Sequence, residues 1–249
     1  TAQQTCMAHH YMFSIVNYSV GQDISSYMHY LKSMEPYGLV IVATEMDIED
    51  LEYYKALNIP MVLIDSTFDL EEFDSVSLDN SAAIYKTMHY ARNLGHMNIG
   101  YLASSVTINN FRHRMDGFLK GLRDFGLEDY NHPVISLPPD TEKAREAMSL
   151  FLDSPPEAFA MPTIFLSDLD YIALGAMQAL KEHGYRIPDD VSIIGFDDVM
   201  ASALSEPPLT TIRVNHGTIA GIAVKILIDN LAEPNKTFFS TIQVSSQFI

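Results

Sequence analysis

The 249-residue chain contains no tryptophan and a single cysteine, Cys6. An intrachain disulfide is therefore impossible, and a reducing compartment, the cytoplasm, is the simpler expectation. Positive charge is scarce as well: 15 Lys and Arg stand against 32 Asp and Glu, a formal net charge of −17. That excess opposes docking on a phosphate backbone, so the chain by itself is not expected to bind DNA. No apolar run approaches the ~20 residues that a membrane-spanning helix requires. The opening TAQQTCMAHH also lacks the basic start and apolar middle of a signal peptide. The chain reads as soluble, with no membrane partner.

Enzyme signatures are missing too. There is no G-x-S-x-G elbow, no G-x-x-x-x-G-K-[ST] loop, no H-E-x-x-H and no cysteine pair, the arrangements that supply a nucleophile, a phosphate cradle or a metal site. The nine histidines are scattered, and His9, His10 and His113 have no carboxylate or cysteine at ligand spacing. Adjacent acids such as Glu71–Glu72 and Asp189–Asp190 read as solvated turns, because an acid/base pair must meet in space with separated pKa values. No catalysis, metal or cofactor is expected.

What the chain does have is apolar residues, 47% of the total, enough for a large core. They come in runs separated by helical patterns, the rhythm of βαβ units and a parallel sheet. The predicted strands are YMFSIVN (Tyr11 to Asn17), GLVIVAT (Gly38 to Thr44), PMVLID (Pro60 to Asp65), NIGYLAS (Asn98 to Ser104) and PVISL (Pro133 to Leu137). PTIFLS (Pro162 to Ser167), VSIIGF (Val191 to Phe196), LTTIRV (Leu209 to Val214) and FSTIQV (Phe239 to Val244) follow. Helices are predicted over Ile24 to Met34, Ile48 to Leu57, Ser81 to Leu94, Arg112 to Phe125, Thr141 to Leu152 and Asp170 to His183. Ser81 and Thr141 are plausible N-caps, with Gly95 and Gly184 as C-terminal stops.

A strand-helix-strand-aspartate pattern occurs twice, around Asp65 and around Asp197, which points to two similar doubly wound α/β lobes. The expected lobes are residues 1–103 with 215–232 and residues 105–213 with 236–249, with a ligand held between them. The chain starts on a helical pattern where such a lobe should start on a strand, so a first strand is expected upstream.

In open parallel sheets ligands collect beyond the carboxyl ends of the strands, where Asp65, Ser104, Ser167, Asp168 and Asp197 fall. Carboxylates accept hydrogen bonds from vicinal hydroxyls and a guanidinium donates to oxygens, a combination suited to a polyhydroxylated ligand. The same residues are ordinary turn formers, and Asp168 could equally cap the Asp170 helix. Asp198 points the other way along the chain and reads as structural. Arg112 and Arg114 stand at the mouth of a helix with Asn109, Asn110 and Phe111; the alternative for the arginines is exposure or pairing with Asp116. Phe111 and Tyr171 are candidates to stack on a sugar face, or are simply core.

The segment IPDDVSIIGFDDVMASALSEPPLTTIRVNHGTIAGIAVKILIDNL resembles the carboxyl half of LacI/GalR-type transcriptional regulators. VSLDNSAAIYKTMHYARNLGHMNIGYLAS, FRHRMDGFLKGL and FLSDLDYIALGAMQALKEHGYRIPDD match further blocks of that family in order, from about Tyr11 onward. The resemblance implies a periplasmic-binding-protein-like pair of lobes that binds a small effector, usually a sugar, dimerises, and changes the operator affinity of an upstream helix-turn-helix headpiece. It places effector contacts on Arg114, Asp197 and Asp65, with Asn110 as a further one. The Asn-Asp pair usual in the family is matched here to Ser167–Asp168, a departure that bears on sugar preference. A homodimer is implied through Ala201 to Thr211, including Leu204, Pro207, Pro208 and Leu209, with the prolines holding the segment extended. Operator DNA would be met only through the headpiece, outside this chain. A transporter-linked sugar-binding protein of the same fold is the alternative, because fold does not fix function.

Overall fold

The computed structural model describes residues 2–18, 23–65, 73–233 and 236–249. The elements in order are α1 (Ala2–Ala8), α2 (Ile24–Ser33), β1 (Leu39–Val42), α3 (Ile48–Lys55), β2 (Met61–Ile64), β3 (Asp74–Leu78), α4 (Asn80–Asn93), β4 (Ile99–Ser104), α5 (Asn109–Asp124) and β5 (Val134–Leu137). They continue with α6 (Thr141–Asp153), β6 (Ile164–Ser167), α7 (Asp170–Glu182), β7 (Ser192–Ile194), α8 (Met200–Leu204), β8 (Ile212–Arg213), α9 (His216–Ala232), β9 (Thr241–Val244) and β10 (Gln247–Phe248). Contacts divide the chain into two compact units, Thr1–Leu78 with Asn215–Val244, and Asp79–Val214 with Ser245–Ile249. Among the described residues no helix is long and apolar enough to cross a membrane.

The first unit is built on a parallel sheet of order β1-β2-β3-β9. Tyr27, Leu31, Leu51, Tyr54 and Leu63 pack one core cluster, while α9 turns Ile219, Ala223 and Val224 inward and contacts β1, β2 and β3. Asp74, fully buried at the start of β3, accepts from Lys236 Nζ at 2.7 Å, Asn230 Nδ2 at 2.8 Å and the Ser240 backbone N–H at 2.8 Å. Such a carboxylate is tolerated in the interior because its lone pairs are matched by donors, one of them charged.

The second unit holds a parallel sheet of order β5-β4-β6-β7 and a short antiparallel pair, β10-β8. Its core gathers Leu102, Met148, Phe165, Ile172, Leu180 and Val191. Helices α4 and α5 pack closely because Gly117 has no β-carbon to strike the Ser81 carbonyl, and α6 and α7 meet in the same way at Gly175 and Thr141.

Several expectations need correction. Residues 11–17 form no strand: Met12 and Ile15 are 92% and 77% exposed, and without a pairing partner an apolar run has no ladder to join. The boundary at residue 103 is misplaced, since β4 pairs with β5 and β6 and brings Asp79 to Ala103 into the second unit. Likewise residues 236–244 belong to the first unit, because β9 pairs with β3. The caps of α4 and α6 are Asp79 and Asp140, whose carboxylates accept from Ala82 N and Lys143 N at 2.9 Å, rather than Ser81 and Thr141. Gly95 and Gly184 follow their helices at φ 91° and 85°, the left-handed conformation that a glycine stop supplies. The segment from Ala201 to Leu204 is helical rather than extended, and Leu209 is buried in the second core, so it cannot face a partner.

Candidate functional site

Helix α5 turns Asn110, Arg114, Gly117, Phe118, Gly121 and Leu122 inward, a spacing that makes one face. Two polar residues therefore head an otherwise apolar stripe, and both are buried. Arg114 Nε donates to Asn80 Oδ1 at 2.8 Å, and Asn80 Nδ2 donates to Asn110 Oδ1 at 3.2 Å. Arg114 Nη1 donates to the Asp168 carbonyl, while Nη2 stands 3.8 Å from Asp197 Oδ1. The guanidinium carbon is 3.5 Å from the centre of the Phe196 ring and 5.4 Å from that of Phe111. The cation thus lies against the Phe196 π-face, with Phe111 further off, and is held by its acceptors.

Asp197 ends the β7 run at φ 108°, and Asp198 follows at φ 58°. Positive φ in a non-glycine residue costs about 1–3 kcal/mol and persists where the surroundings enforce it. The Asp197 N–H donates to the Ile212 carbonyl at 2.8 Å, while the Asp198 carboxylate takes Arg213 Nε at 2.5 Å. Asp197 accordingly keeps its side chain 25% exposed beside Arg114, and Asp198 is occupied structurally.

The other expected residues differ in what they offer. Asp168 is buried; its Oδ1 accepts from Tyr101 Oη and its Oδ2 from the Ser104 N–H, both at 2.7 Å. Burial pushes its carboxyl pKa up, against the pull of those two bonds and of Arg114. The Tyr101 phenol is likewise pushed well up, by burial first and then by the Asp168 charge. Asp168 is not a helix cap: Leu169 holds that position and makes no side-chain cap bond. Ser167 Oγ donates to the Leu169 carbonyl at 2.9 Å. Phe111 is half-buried against Arg114, whereas Tyr171 is 47% exposed. Arg112 bonds Asn109. Asp65, at φ 63° beyond β2, belongs to the first unit.

Three contributors escaped the sequence: Asn80, Phe196 and Asp170. Asn80 stands inside a helix start, where polar residues are routine; Phe196 reads as strand core; Asp170 reads as an ordinary acid of a first helical turn. Asp170 is completely buried, and burial raises its pKa against the hydrogen bonds that lower it.

A fixed donor plane, a carboxylate acceptor 3.8 Å away and an aromatic floor suit a ligand hydroxyl, which accepts from the guanidinium and donates to the carboxylate. Among the described residues no cluster of His, Cys, Asp and Glu could hold a metal ion.

Comparison with known proteins agrees with the architecture. The chain is 32% identical over 196 residues to an HTH-type transcriptional repressor PurR of Actinobacillus pleuropneumoniae serotype 3, with 78% of this chain and 56% of that protein covered. The chain thus spans little more than half of that relative's length. Similar folds include a LacI family transcriptional regulator from Enterococcus faecium with bound ribose, at TM-score 0.81 and 21% identity, covering 100% of this chain and 89% of that one. A second is a transcriptional regulator CelR-cellobiose complex, at TM-score 0.86 and 18% identity, covering 100% and 75%. The family described as periplasmic binding protein-like domain matches residues 88–245. With parallel βαβ layers in both units and more than half its residues matched, the chain belongs to the periplasmic binding protein-like domain family.

Proposed function

We propose that the chain is the effector-sensing part of a LacI-type transcriptional regulator, binding a small sugar or related metabolite and passing the event to a DNA-binding segment. The observation that carries this reading is the Arg114 and Asp197 pair over Phe196: a donor plane and an acceptor, both anchored, with Asp197 still partly open. Asp168 accepts from Arg114 through its backbone carbonyl and Asn110 acts through Asn80, which accepts from Arg114 Nε, while Phe111 and Tyr171 supply aromatic surface. The likeness to repressors, and to regulators solved with ribose and cellobiose, favours a regulator over a transport-linked binding protein. A regulator of transcription acts in the cytoplasm, in keeping with the single cysteine.

Calorimetry with ribose, cellobiose and a panel of neutral mono- and disaccharides tests the site. Asp197→Ala is expected to weaken binding of the active sugar by about tenfold or more, the worth of a hydrogen bond to a charged group. Unchanged affinity would remove Asp197 from the site.

We also propose a homodimer in which α8 takes part. Met200 and Leu204 are 83% and 79% exposed, with Ala201 and Pro208 exposed beside them and Pro207 half-buried. The observation favouring this is the presence of two large apolar side chains on one short surface helix.

A further inference from the structure

Asp170 is the first residue of α7, yet the hydrogen bonds its carboxylate accepts come from outside that helix. Its bonds run to the segment after β7. The Asp170 N–H donates to the Phe196 carbonyl at 2.8 Å, and Asp170 Oδ2 accepts from the Val199 N–H at 2.9 Å and Ser202 Oγ at 2.7 Å. Oδ1 accepts from Thr211 Oγ1 at 2.6 Å. Between Phe196 and Val199 lie only Asp197 and Asp198, both at positive φ. One residue therefore grips this turn at its entry and at its exit.

The Thr211 bond fixes the third side. Gly195 N–H donates to the Thr210 carbonyl at 2.9 Å and Asp197 N–H to the Ile212 carbonyl at 2.8 Å, so Thr211 lies between the two rungs that align the end of β7 with its neighbour. Gly195 makes the room, because a β-carbon there would collide with Asp170 Oδ1.

We propose that Asp170 is a positioning residue for the effector site, acting through Asp197: it clamps the two-residue turn and so sets the Asp197 carboxylate and the Phe196 ring relative to Arg114. The proposal rests on the effector reading above, but its geometry involves no ligand. Neutral N–H and O–H donors surround the carboxylate, so it serves as a multiple acceptor rather than as half of an ion pair. A conventional helix-start acid would face its own first turn; this one faces away.

The test is solution NMR of the full chain without sugar, reading the Arg114 Nε–H resonance, which the Phe196 ring shifts, and amide exchange at Asp197 and Val199. Asp170→Ala is expected to move the Arg114 signal and to raise exchange at both amides by about tenfold or more, while the amides of β6 keep their protection. Asp170→Asn is expected to preserve both readouts, since its oxygen can accept from Val199 and its amide can donate to the Thr211 hydroxyl. If Asp170→Ala does not fold, Asp170→Ser, whose hydroxyl is too short to reach Val199, is read in the same way. A folded Ala or Ser variant with the wild-type Arg114 signal and wild-type Asp197 exchange would overturn the proposal. Failure of every sugar to bind would sink the effector reading and leave these signals untouched.

Discussion

The guanidinium carbon of Arg114 lies 3.5 Å from the centre of the Phe196 ring, and the side chain is almost entirely removed from solvent. A cation can be held there because its positive face meets the ring quadrupole and its N–H groups meet Asn80 and the Asp168 carbonyl. The result is a guanidinium fixed in place by the protein's own contacts.

A lysine cannot reproduce that plane. Arg114→Lys is expected to weaken binding of the active sugar by about a hundredfold, combining a lost stacked cation with a lost fork of donors. Isothermal calorimetry beside the wild type checks this, and an affinity within threefold of wild type contradicts it.

The buried carboxylate Asp168 makes a pH prediction. Burial holds its pKa above the unfolded value of 3.8, so over the interval just above 3.8 the native group keeps a proton that the unfolded chain has released. Wild-type stability therefore falls relative to Asp168→Asn as pH rises through that interval and is regained as pH drops back through it. Asn can still accept from Ser104 and donate to the Tyr101 oxygen, so the substitution is structurally mild. Urea unfolding of both proteins from about pH 3.8 upward to neutral measures the difference; parallel curves would contradict the assignment.

Breaking the Asp74 cluster should be costly. Asp74→Ala leaves the Lys236 ammonium and Asn230 without their acceptor, and losses of about 3–5 kcal/mol are typical when one partner of a buried pair is removed. Thermal unfolding followed by calorimetry reports it, with the first unit losing stability most.

At the α4 and α5 crossing, Gly117→Ala drives a β-carbon into the Ser81 carbonyl, which is backbone and cannot swing aside. A destabilisation of about 1–3 kcal/mol is expected in chemical denaturation, despite alanine's better helix propensity.

Leu204→Glu tests the proposed dimer surface. Leu204 is 79% exposed, so monomer stability should change by no more than about 0.5 kcal/mol while self-association in sedimentation falls. Association at wild-type strength would move the interface elsewhere.

Periodic segments were legible in the sequence, and isolated chemistry was not. PTIFLS announces β6 because a continuous apolar run is what a strand covered on both faces needs, and GLVIVAT announces β1 by the same signal although Val42 in it is 66% exposed. DSVSL became β3 with every residue buried, but its alternating serines hid it among polar neighbours. YMFSIVN has the composition of a strand but pairs with no strand among the described residues, which composition alone cannot reveal. In the site, Asp197 is legible as a strand-end carboxylate and Arg114 as a helix-mouth cation, both also marked by the motif resemblance, and the structure brings them to 3.8 Å. Asn80 and Asp170 were missed because their importance comes from contacts 34 and 41 residues away in sequence, with Arg114 and Thr211, and no local pattern records those.

The pairing of β3 with β9 joins Ser75 to Thr241, 166 residues further along the chain. During synthesis β3 therefore keeps an open edge until residues 241–244 have left the ribosome. A chain stopped short of β9 would expose β3 as a template for intermolecular pairing.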